Sequence, residues 1–298
     1  MYLKNQGPRF ENVRSAFVAL SKNLAIEGKR VLIKPNFTSC DHVLANTHPD
    51  ALRAVLETVS SFNPKEIVVA EGSGESWGQG KTTNGTIMKF GAWDCIEAAD
   101  AKFIDLNGDA DYIEMDVETI YGQDKVRINN MFLEYDIRIS MTVPKSHDYA
   151  VMTSSTKNFA MPMVKPQDRV KIHGLRHHTS EGEEYQKSVK LINHNLANLV
   201  RIVYPTISII DGFVGMEGNG PIVGTPIPLG WALISDNPLA CDCALAELMG
   251  IKPKDVGYLN YLCAGTMPRY PLGIKKQIIE LSKIFKLHKK IKMQERWK

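Results

Sequence analysis

Lysine, histidine and carboxylate side chains recur where the apolar strands of this chain are predicted to end. Short apolar runs occupy 31–33, 67–70, 137–143 and 206–210. The polar residues that follow them are, in chain order, Lys34, Asn36, Glu71, Ser73, Glu75, Lys145, His147, Asp211 and Glu217. Because the carboxyl ends of parallel strands meet at one edge of a sheet, these side chains are expected to converge. Cations and acids gathered there are typical of an acid–base site.

Two lysines and a histidine suggest how such a site would work. Lys34 follows an apolar strand, from which it could hold a phosphate or carboxylate as a point charge. A lysine that extends to solvent is the alternative. Lys145 and His147 lie two residues apart, so an extended chain places both on one side. Lys145 would then neutralise an anion while His147 transfers a proton.

Lys157 and Asn158 follow a Ser/Thr run at 153–156. This segment is predicted to begin a helix at the same edge, where backbone N–H groups would favour an anion. Ser/Thr capping of a helix explains the run almost equally well.

The segment 211–221 combines acids with closely spaced glycines. We expect Asp211 to end a strand and the following glycines to form a loop at the ligand. Glycine lets the backbone turn at positive φ and lets a ligand approach closely, so Gly218, Asn219 and Gly220 are predicted to bind it. A tight connection with two incidental acids is the alternative.

Metal sites have weaker support in the sequence. His173, His177 and His178 are close in sequence, but Gly174 weakens the helix that would align the first two. Cys241 and Cys243 are separated by one residue and lack the spacing of common zinc or iron–sulfur sites. We therefore expect no iron–sulfur cluster. The acids Glu71, Asp211 and Glu217 would suit Mg²⁺ or Mn²⁺ if they ligate a metal at all, and otherwise one of them would act as the opposing base.

The order of the elements predicts an α/β fold with a mainly parallel sheet flanked by helices. Apolar runs alternate with segments of helical periodicity, and further strands are predicted at 102–106 and 231–234. Alternating Ile113, Met115 and Val117 indicate a β excursion. Residues 161–185 show little periodicity and are predicted to form a mobile loop. Residues 1–274 would form the core, as one domain or as two lobes.

The chain has 298 residues, of which 44% are hydrophobic and 23% charged, as in ordinary globular proteins. No apolar run is long enough to predict a membrane span, and the N-terminus lacks the apolar stretch of a signal peptide. Five scattered cysteines indicate reduced thiols, so a cytoplasmic location is expected. Dinucleotide-binding, Walker-type and Gly-x-Ser-x-Gly motifs are absent from the sequence.

The positive charge is concentrated at the C-terminus. The net charge is +3, but residues 275–298 carry nine Lys and Arg against two Glu, so the rest of the chain is mildly acidic. Ile274, Ile278, Leu281, Phe285 and Ile291 recur at helical spacing and predict a basic amphipathic helix. We expect this helix to dock on the core with its lysines in solvent. Contact with nucleic acid or a membrane surface is the alternative.

An ordered set of motifs extends over residues 30–250. It comprises Lys34-Pro35-Asn36, His48-Pro49, Glu71-Gly72-Ser73, Pro144-Lys145-x-His147, Lys157-Asn158, Asp211-Gly212, Met216-Glu217-Gly218-Asn219-Gly220-Pro221 and Asp236-Asn237-Pro238-x-Ala240-x-Asp242. This set resembles the family called domain of unknown function 362. The resemblance implies the α/β core and the polar cluster. Many members carry a ferredoxin-type cysteine module, but this chain has no Cys-x-x-Cys, and the family name specifies no reaction.

Two functional hypotheses follow. The first is an enzyme that acts on a small anionic metabolite, a carboxylate or phosphate, by acid–base or divalent-metal-assisted chemistry. Lys34, Lys145 and Lys157 would hold the anion. The second is a non-catalytic partner of a redox or iron–sulfur protein that keeps the family scaffold.

Overall fold

A computed structural model describes residues 1–177, 182–264, 268 and 272–287, with the backbone alone for Leu272 and 281–287. Its strands are β1 (Tyr2–Lys4), β2 (Arg30–Lys34), β3 (Glu66–Glu71), β4 (Lys102–Asp105), β5 (Tyr112–Thr119), β6 (Gly122–Asn129), β7 (Ile137–Thr142), β8 (Lys145–His147), β9 (Val151–Thr153), β10 (Ile207–Glu217) and β11 (Thr225–Ser235).

Helices connect and cover these strands. The α-helices are α1 (Arg9–Ser21), α2 (Pro49–Ser60), α3 (Gly74–Gly78), α4 (Thr83–Lys89), α5 (Trp93–Ala98), α6 (Ser155–Ala160), α7 (Arg169–Ile172), α8 (Gly182–Ile202), α9 (Pro238–Leu248), α10 (Gly257–Cys263) and α11 (Leu272–Leu287). Short 3₁₀ helices lie at Val43–Ala45, Met131–Glu134, Met161–Met163, Pro166–Asp168 and Pro253–Asp255.

The main sheet has the order β1-β11-β10-β7-β2-β3-β4. The strands from β10 to β4 are parallel, whereas β11 is antiparallel to both β10 and β1. The central strands are apolar on both faces because one apolar cluster packs α1 and α2 against the sheet and another packs α6, α8 and α9 against its opposite face. The predicted α/β fold with a mostly parallel sheet is confirmed.

The strand order creates a crevice beside β2. The chain leaves β2 toward β3 on one side, while it leaves β7, the neighbour of β2 on the other side, toward β10. The connections after β2 and β7 therefore diverge. Ligands of open α/β sheets bind at such switch points, outside the carboxyl ends of the strands.

The glycine-rich segment forms the predicted loop only from Gly218 onward. β10 continues to Glu217 and pairs with β11, so Asp211 lies inside a strand and not at its end. The glycines are required by packing: a Cβ at Gly212 would overlap the ring of Trp231, and one at Gly220 would overlap the backbone of Ser146. Close approach of protein to protein, and not of a ligand, explains these two positions.

The prediction of a mobile loop at 161–185 is also wrong for most of that segment. It contains two of the 3₁₀ helices, then α7, and the first turn of α8, while 178–181 lie outside the described residues. Ion pairs and hydrogen bonds from side chains without periodic spacing fix this segment against the rest of the fold. Asp168 pairs with Arg127 at 2.7 Å, and Arg169 donates to the carbonyl oxygens of Gly72, Pro162 and Val164.

Two other predicted elements are present. β5 and β6 form an antiparallel hairpin that buries Met115 and Val117, as their alternation predicts. α11 covers the described part of the predicted basic helix and buries Ile274 and Ile278, with contacts to α9 and β1. The side chains of Leu281 and Phe285, and all of Ile291, lie outside the described part. Within the described residues, no helix has both the length and the apolar character needed to cross a bilayer.

Candidate active site

A cavity of about 410 Å³ opens at the carboxyl ends of β2 and β3, beside the crevice left by the diverging connections. Segments after β2, β3 and β7 line it, together with α6 and α7. Six of the predicted site residues lie on its surface: Lys34, Asn36, Glu71, His147, Lys157 and Asn158. Strand ends therefore bring together much of the set that the sequence predicts.

Lys34 and Glu71 form a buried ion pair at the ends of adjacent parallel strands. Lys34 Nζ lies 2.8 Å from each carboxylate oxygen and also donates to the Pro35 carbonyl at 2.6 Å. Glu71 accepts further hydrogen bonds from the backbone N–H groups of Phe37 and Gly72. Burial lowers the pKa of Lys34, and the charge of Glu71 opposes that shift. The charges of the ammonium and the carboxylate therefore balance each other.

A chain of hydrogen bonds continues from this pair. Asn158 Oδ1 accepts from Lys34 Nζ at 3.2 Å and from Asn36 Nδ2 at 2.7 Å, while Asn36 Oδ1 accepts from Lys145 Nζ at 2.6 Å. We call Lys34, Asn36, Glu71, Lys145 and Asn158 the polar network. Asn158 also donates to the Met141 carbonyl, which ties the network to β7.

Lys145 lies behind the cavity and not on its surface. Its side chain is 0% exposed, and Nζ donates to Asn36 Oδ1, to Thr38 Oγ1 at 2.8 Å and to the Ala45 carbonyl at 2.7 Å. These acceptors match the three N–H groups of an ammonium. All of them are neutral, so the positive charge of Lys145 has no acid in contact. Burial, followed by the charge of Lys157, lowers the pKa of Lys145 well below its usual value.

His147 is a neutral imidazole on the cavity surface. Its Nδ1 lies 3.1 Å from Asp148 Oδ1 and within hydrogen-bonding distance of the backbone N–H groups of Tyr149 at 3.1 Å and Ala150 at 3.3 Å. Burial, reinforced by the charge of Lys157, lowers its pKa to about 4, although Asp148 partly opposes the shift. This histidine is therefore uncharged at neutral pH. Proton transfer by His147 stays a prediction.

Lys157 reaches the cavity from α6, a short helix held at both ends. Asp242 of α9 accepts hydrogen bonds from the backbone N–H groups of Ser155 and Thr156, both at 2.9 Å, and from Thr156 Oγ1 at 2.6 Å. One residue beyond Lys157, Asn158 anchors the helix to β7. The carboxylate of Asp242, from a distant motif, thus caps the helix, whereas Ser154 at the N-cap position makes no side-chain capping hydrogen bond.

The ammonium of Lys157 differs from those of the polar network. Its side chain is 8% exposed and lines the cavity, yet Nζ makes no hydrogen bond or ion pair within the described parts of the chain. Burial lowers its pKa to about 8, with a further contribution from the charge of Lys34, although Asp148 partly opposes the shift. An amine with this pKa exchanges protons near neutral pH.

Two polar cavity residues, Arg169 and Thr38, were missed by the sequence analysis, whereas Glu75 was named as a strand-end acid and Thr153 as part of the Ser/Thr run. Burial lowers the pKa of Arg169 to about 10 despite the charge of Glu71, and its donors are already used by protein oxygens, including Asn107 Oδ1 at 2.8 Å. Arg169 had no sequence signal, because it lies in an aperiodic segment and gains its role only through tertiary packing.

The remaining predicted residues lie elsewhere. Asp211 pairs with Arg9 at 3.0 Å, and neither Asp211 nor Glu217 is among the cavity residues, so the expected convergence fails for these two acids. Ser73 caps α3 by accepting from Ser76 N. Gly218 and Gly220 hydrogen-bond Ser146, and with Asn219 they lead to Pro221 and Ile222, which do line the cavity.

No group of three or more His, Cys, Asp and Glu side chains in the described part of the chain is arranged to hold a metal ion. His173 lines the cavity and packs edge-on against Tyr149, His177 is exposed, and His178 lies outside the described residues. Cys241 and Cys243 are buried in α9, as expected for small core side chains.

Two known proteins are similar to this chain. A thylakoid-associated protein, sll1697, from Synechocystis sp. (strain ATCC 27184 / PCC 6803 / Kazusa) is 23% identical over 236 residues, which cover 78% of this chain and 67% of the relative. The lactate racemase apoprotein from Thermoanaerobacterium thermosaccharolyticum superposes with a TM-score of 0.48 at 15% identity, over 83% of this chain and 56% of that one.

The family model described as "Domain of unknown function (DUF362)" matches residues 31–247, a range that contains the whole polar network and Lys157. With most of its length inside that match, the chain belongs to the DUF362 family.

Proposed function

We propose that this protein is an enzyme that binds a small carboxylate or phosphate in the cavity and acts on it by acid–base chemistry. The observation that carries the proposal is the buried ammonium of Lys157, which lines the cavity without a hydrogen-bonding partner among the described residues. A buried charge without a partner is costly, so proteins rarely keep one unless a ligand completes it.

The charges around the cavity favour an anion. Glu71 is neutralised by Lys34, whereas Lys145 contacts only neutral oxygens and Lys157 contacts none of the described acids directly. After burial, the charges of Lys157 and Lys34 lower the pKa of Lys145, and the charge of Lys34 lowers that of Lys157. A bound carboxylate or phosphate would relieve this repulsion and would raise the pKa of Lys157.

Lys157 is the residue to which we assign proton transfer. With a pKa of about 8, about a tenth of it is the neutral amine at pH 7, and both protonation states are available for a reaction. His147 lines the cavity and is neutral at pH 7, so its contribution would be a hydrogen bond to the substrate and not a charge. Lys145 acts from behind Thr38 as a positioning residue and a source of positive potential.

The test is isothermal titration of the protein with phenylacetate, pyruvate and inorganic phosphate. The parent protein should bind at least one of these anions, and Lys157→Met should weaken that binding at least about tenfold. Lys187→Met is the matched control, because Lys187 is an exposed lysine of α8 away from the cavity. Equal affinity of the parent and Lys157→Met for every anion would contradict the proposal.

Proton exchange by Lys157 is tested in the same experiment. Titration at pH 8 in two buffers of different protonation enthalpy should show uptake of about half a proton per anion bound, because binding raises a pKa that starts near 8. Lys157→Met should show none of this uptake. Identical uptake in the two proteins would assign the proton to another group.

A further inference from the structure

The cavity lining combines charged, polar and apolar residues. Besides Lys157 and the paired Lys34 and Glu71, it includes the acid Glu75. Its apolar residues include Phe37, Trp77, Met161, Pro162, Pro166 and Ile222. At about 30 Å³ per atom, the volume of about 410 Å³ holds on the order of a dozen non-hydrogen atoms. An anion with an apolar body of that size would match both Lys157 and the apolar residues.

Lys157 is placed as a nucleophile as well as a proton donor. A lysine becomes nucleophilic when it is desolvated beside other cations, because both effects favour the neutral amine. Lys157 is buried, Lys34 and Lys145 repel its charge, and its Nζ is not tied to any described oxygen that would hold it away from a ligand. Lys34 and Lys145 are both tied in this way.

We propose that Lys157 forms an imine with the carbonyl carbon of an oxo acid that carries an apolar body, a substrate class that rests on the proposed function of the cavity. The carboxylate would lie near Thr38, in front of the positive charge of Lys145, and the apolar body would contact Trp77 and Phe37. Aldehydes and ketones without a carboxylate would lack the anion that the lysine charges favour.

The reaction needs no oxidant or reductant. The neutral amine of Lys157 adds to the carbonyl carbon, which forms a C–N bond and leaves the oxygen as a hydroxyl after proton transfer from nitrogen. The carbinolamine then loses that hydroxyl with the second amine proton as water, giving the imine. Uptake of one proton restores the positive charge at Nζ, where it faces the bound carboxylate and stabilises a carbanion at the adjacent carbon.

Borohydride trapping with phenylpyruvate tests this inference. The full chain is incubated with phenylpyruvate, reduced with sodium borohydride and examined by intact mass and peptide mapping. The expected product is one adduct per chain at Lys157, heavier by the mass of phenylpyruvate less one oxygen atom. Pyruvate, which lacks the apolar body, should need at least about a tenfold higher concentration for the same yield.

Two variants separate the covalent step from anion binding. Lys157→Arg keeps a positive charge but cannot form the imine, so it should retain binding of phenylacetate and lose the adduct. Lys187→Met should give the parent's result. An adduct confined to Lys157 in the parent and in Lys187→Met, and missing from Lys157→Arg, supports the inference.

Other outcomes would overturn it. Calorimetric binding of phenylpyruvate without an adduct at Lys157, or adducts spread over exposed lysines, would disprove imine formation and leave anion binding intact. Failure of phenylpyruvate, pyruvate, phenylacetate and phosphate alike to bind would disprove the proposed function as well.

Discussion

The polar network and Lys157 border the same cavity, but the protein treats their lysines in opposite ways. Lys34 and Lys145 are completely buried, and each donates to several oxygens of the protein. Lys157 is almost as buried, yet its Nζ contacts no hydrogen-bond acceptor in the part of the chain that the structure describes. The two groups are the same chemically, so their difference lies in what surrounds them.

This difference distinguishes lysines that stabilise the fold from a lysine that is available to a ligand. A buried charge that meets all its partners holds strands and loops in one arrangement, and its loss is felt as instability. A buried charge without partners lowers the stability of the free protein and gains its partner when a ligand binds. Substitutions in the polar network should therefore lower the stability of the protein. Substitution of Lys157 should instead raise the stability and weaken anion binding.

The largest effect is expected at the buried ion pair of the polar network. Lys34→Met leaves Glu71 charged, buried and without its cation, so we expect the free energy of unfolding in urea to fall by about 3–5 kcal/mol. The double variant Lys34→Met/Glu71→Met should recover much of that loss, because no unpaired charge remains. A loss below about 1 kcal/mol in the single variant would show that the pair does not support the fold.

Lys157→Met should change the free energy of unfolding in the opposite direction. Its removal breaks no hydrogen bond or ion pair described in the structure and abolishes a buried charge, so the unfolding free energy at pH 7 should rise by on the order of 2 kcal/mol. Urea unfolding measures this change. A variant less stable than the parent at pH 7 would contradict the contrast between the two regions.

The stability of Lys157→Met relative to the parent should also depend on pH. The pKa of Lys157 falls from 10.5 to about 8 on folding, so the native state binds fewer protons than the unfolded state between these values. The penalty on the parent is complete below pH 8, shrinks as the pH rises, and vanishes above 10.5. The stability difference between Lys157→Met and the parent should therefore decrease as the pH rises from 8 to 10.5. A difference that is constant from pH 7 to 10 would show that packing alone, and not the charge of Lys157, causes it.

Gly212→Ala tests the glycine-rich hairpin, which the sequence suggested as part of the site. The added Cβ would overlap Trp231, so we expect a loss of about 2 kcal/mol of stability from overpacking. Phenylacetate affinity should not change, because Gly212 lies outside the cavity. A Kd altered more than about tenfold with the fold intact would return this hairpin to the site.

Asp211→Asn should have the smallest effect. Burial raises the pKa of Asp211 despite its ion pair with Arg9, and an amide oxygen can still accept from Arg9 and from the Phe213 N–H, so we expect a loss of about 1 kcal/mol. Anion binding measured by calorimetry should equal that of the parent. Loss of binding without unfolding would give Asp211 the catalytic role predicted from its place in the sequence.

Strand-end positions were predictable and strand lengths were not. Lys34, Glu71 and His147 converge because a parallel sheet brings its carboxyl ends to one edge, a rule that needs only the order of the apolar runs. The convergence predicted for Asp211 failed because β10 extends six residues past it as a hairpin with β11, in which Gly212 packs closely on Trp231. Arg169 was not predictable, since its segment is held by tertiary contacts that leave no periodic pattern.

The state of Lys157 itself is the most direct test of the account. NMR titration of protein with isotope-labelled lysine side chains, with the Lys157 signal assigned by its loss in Lys157→Met, measures its pKa in the free protein and in saturating phenylacetate. The account predicts a midpoint near 8 that rises when the carboxylate binds. A midpoint near the ordinary 10.5, unchanged by phenylacetate, would contradict it.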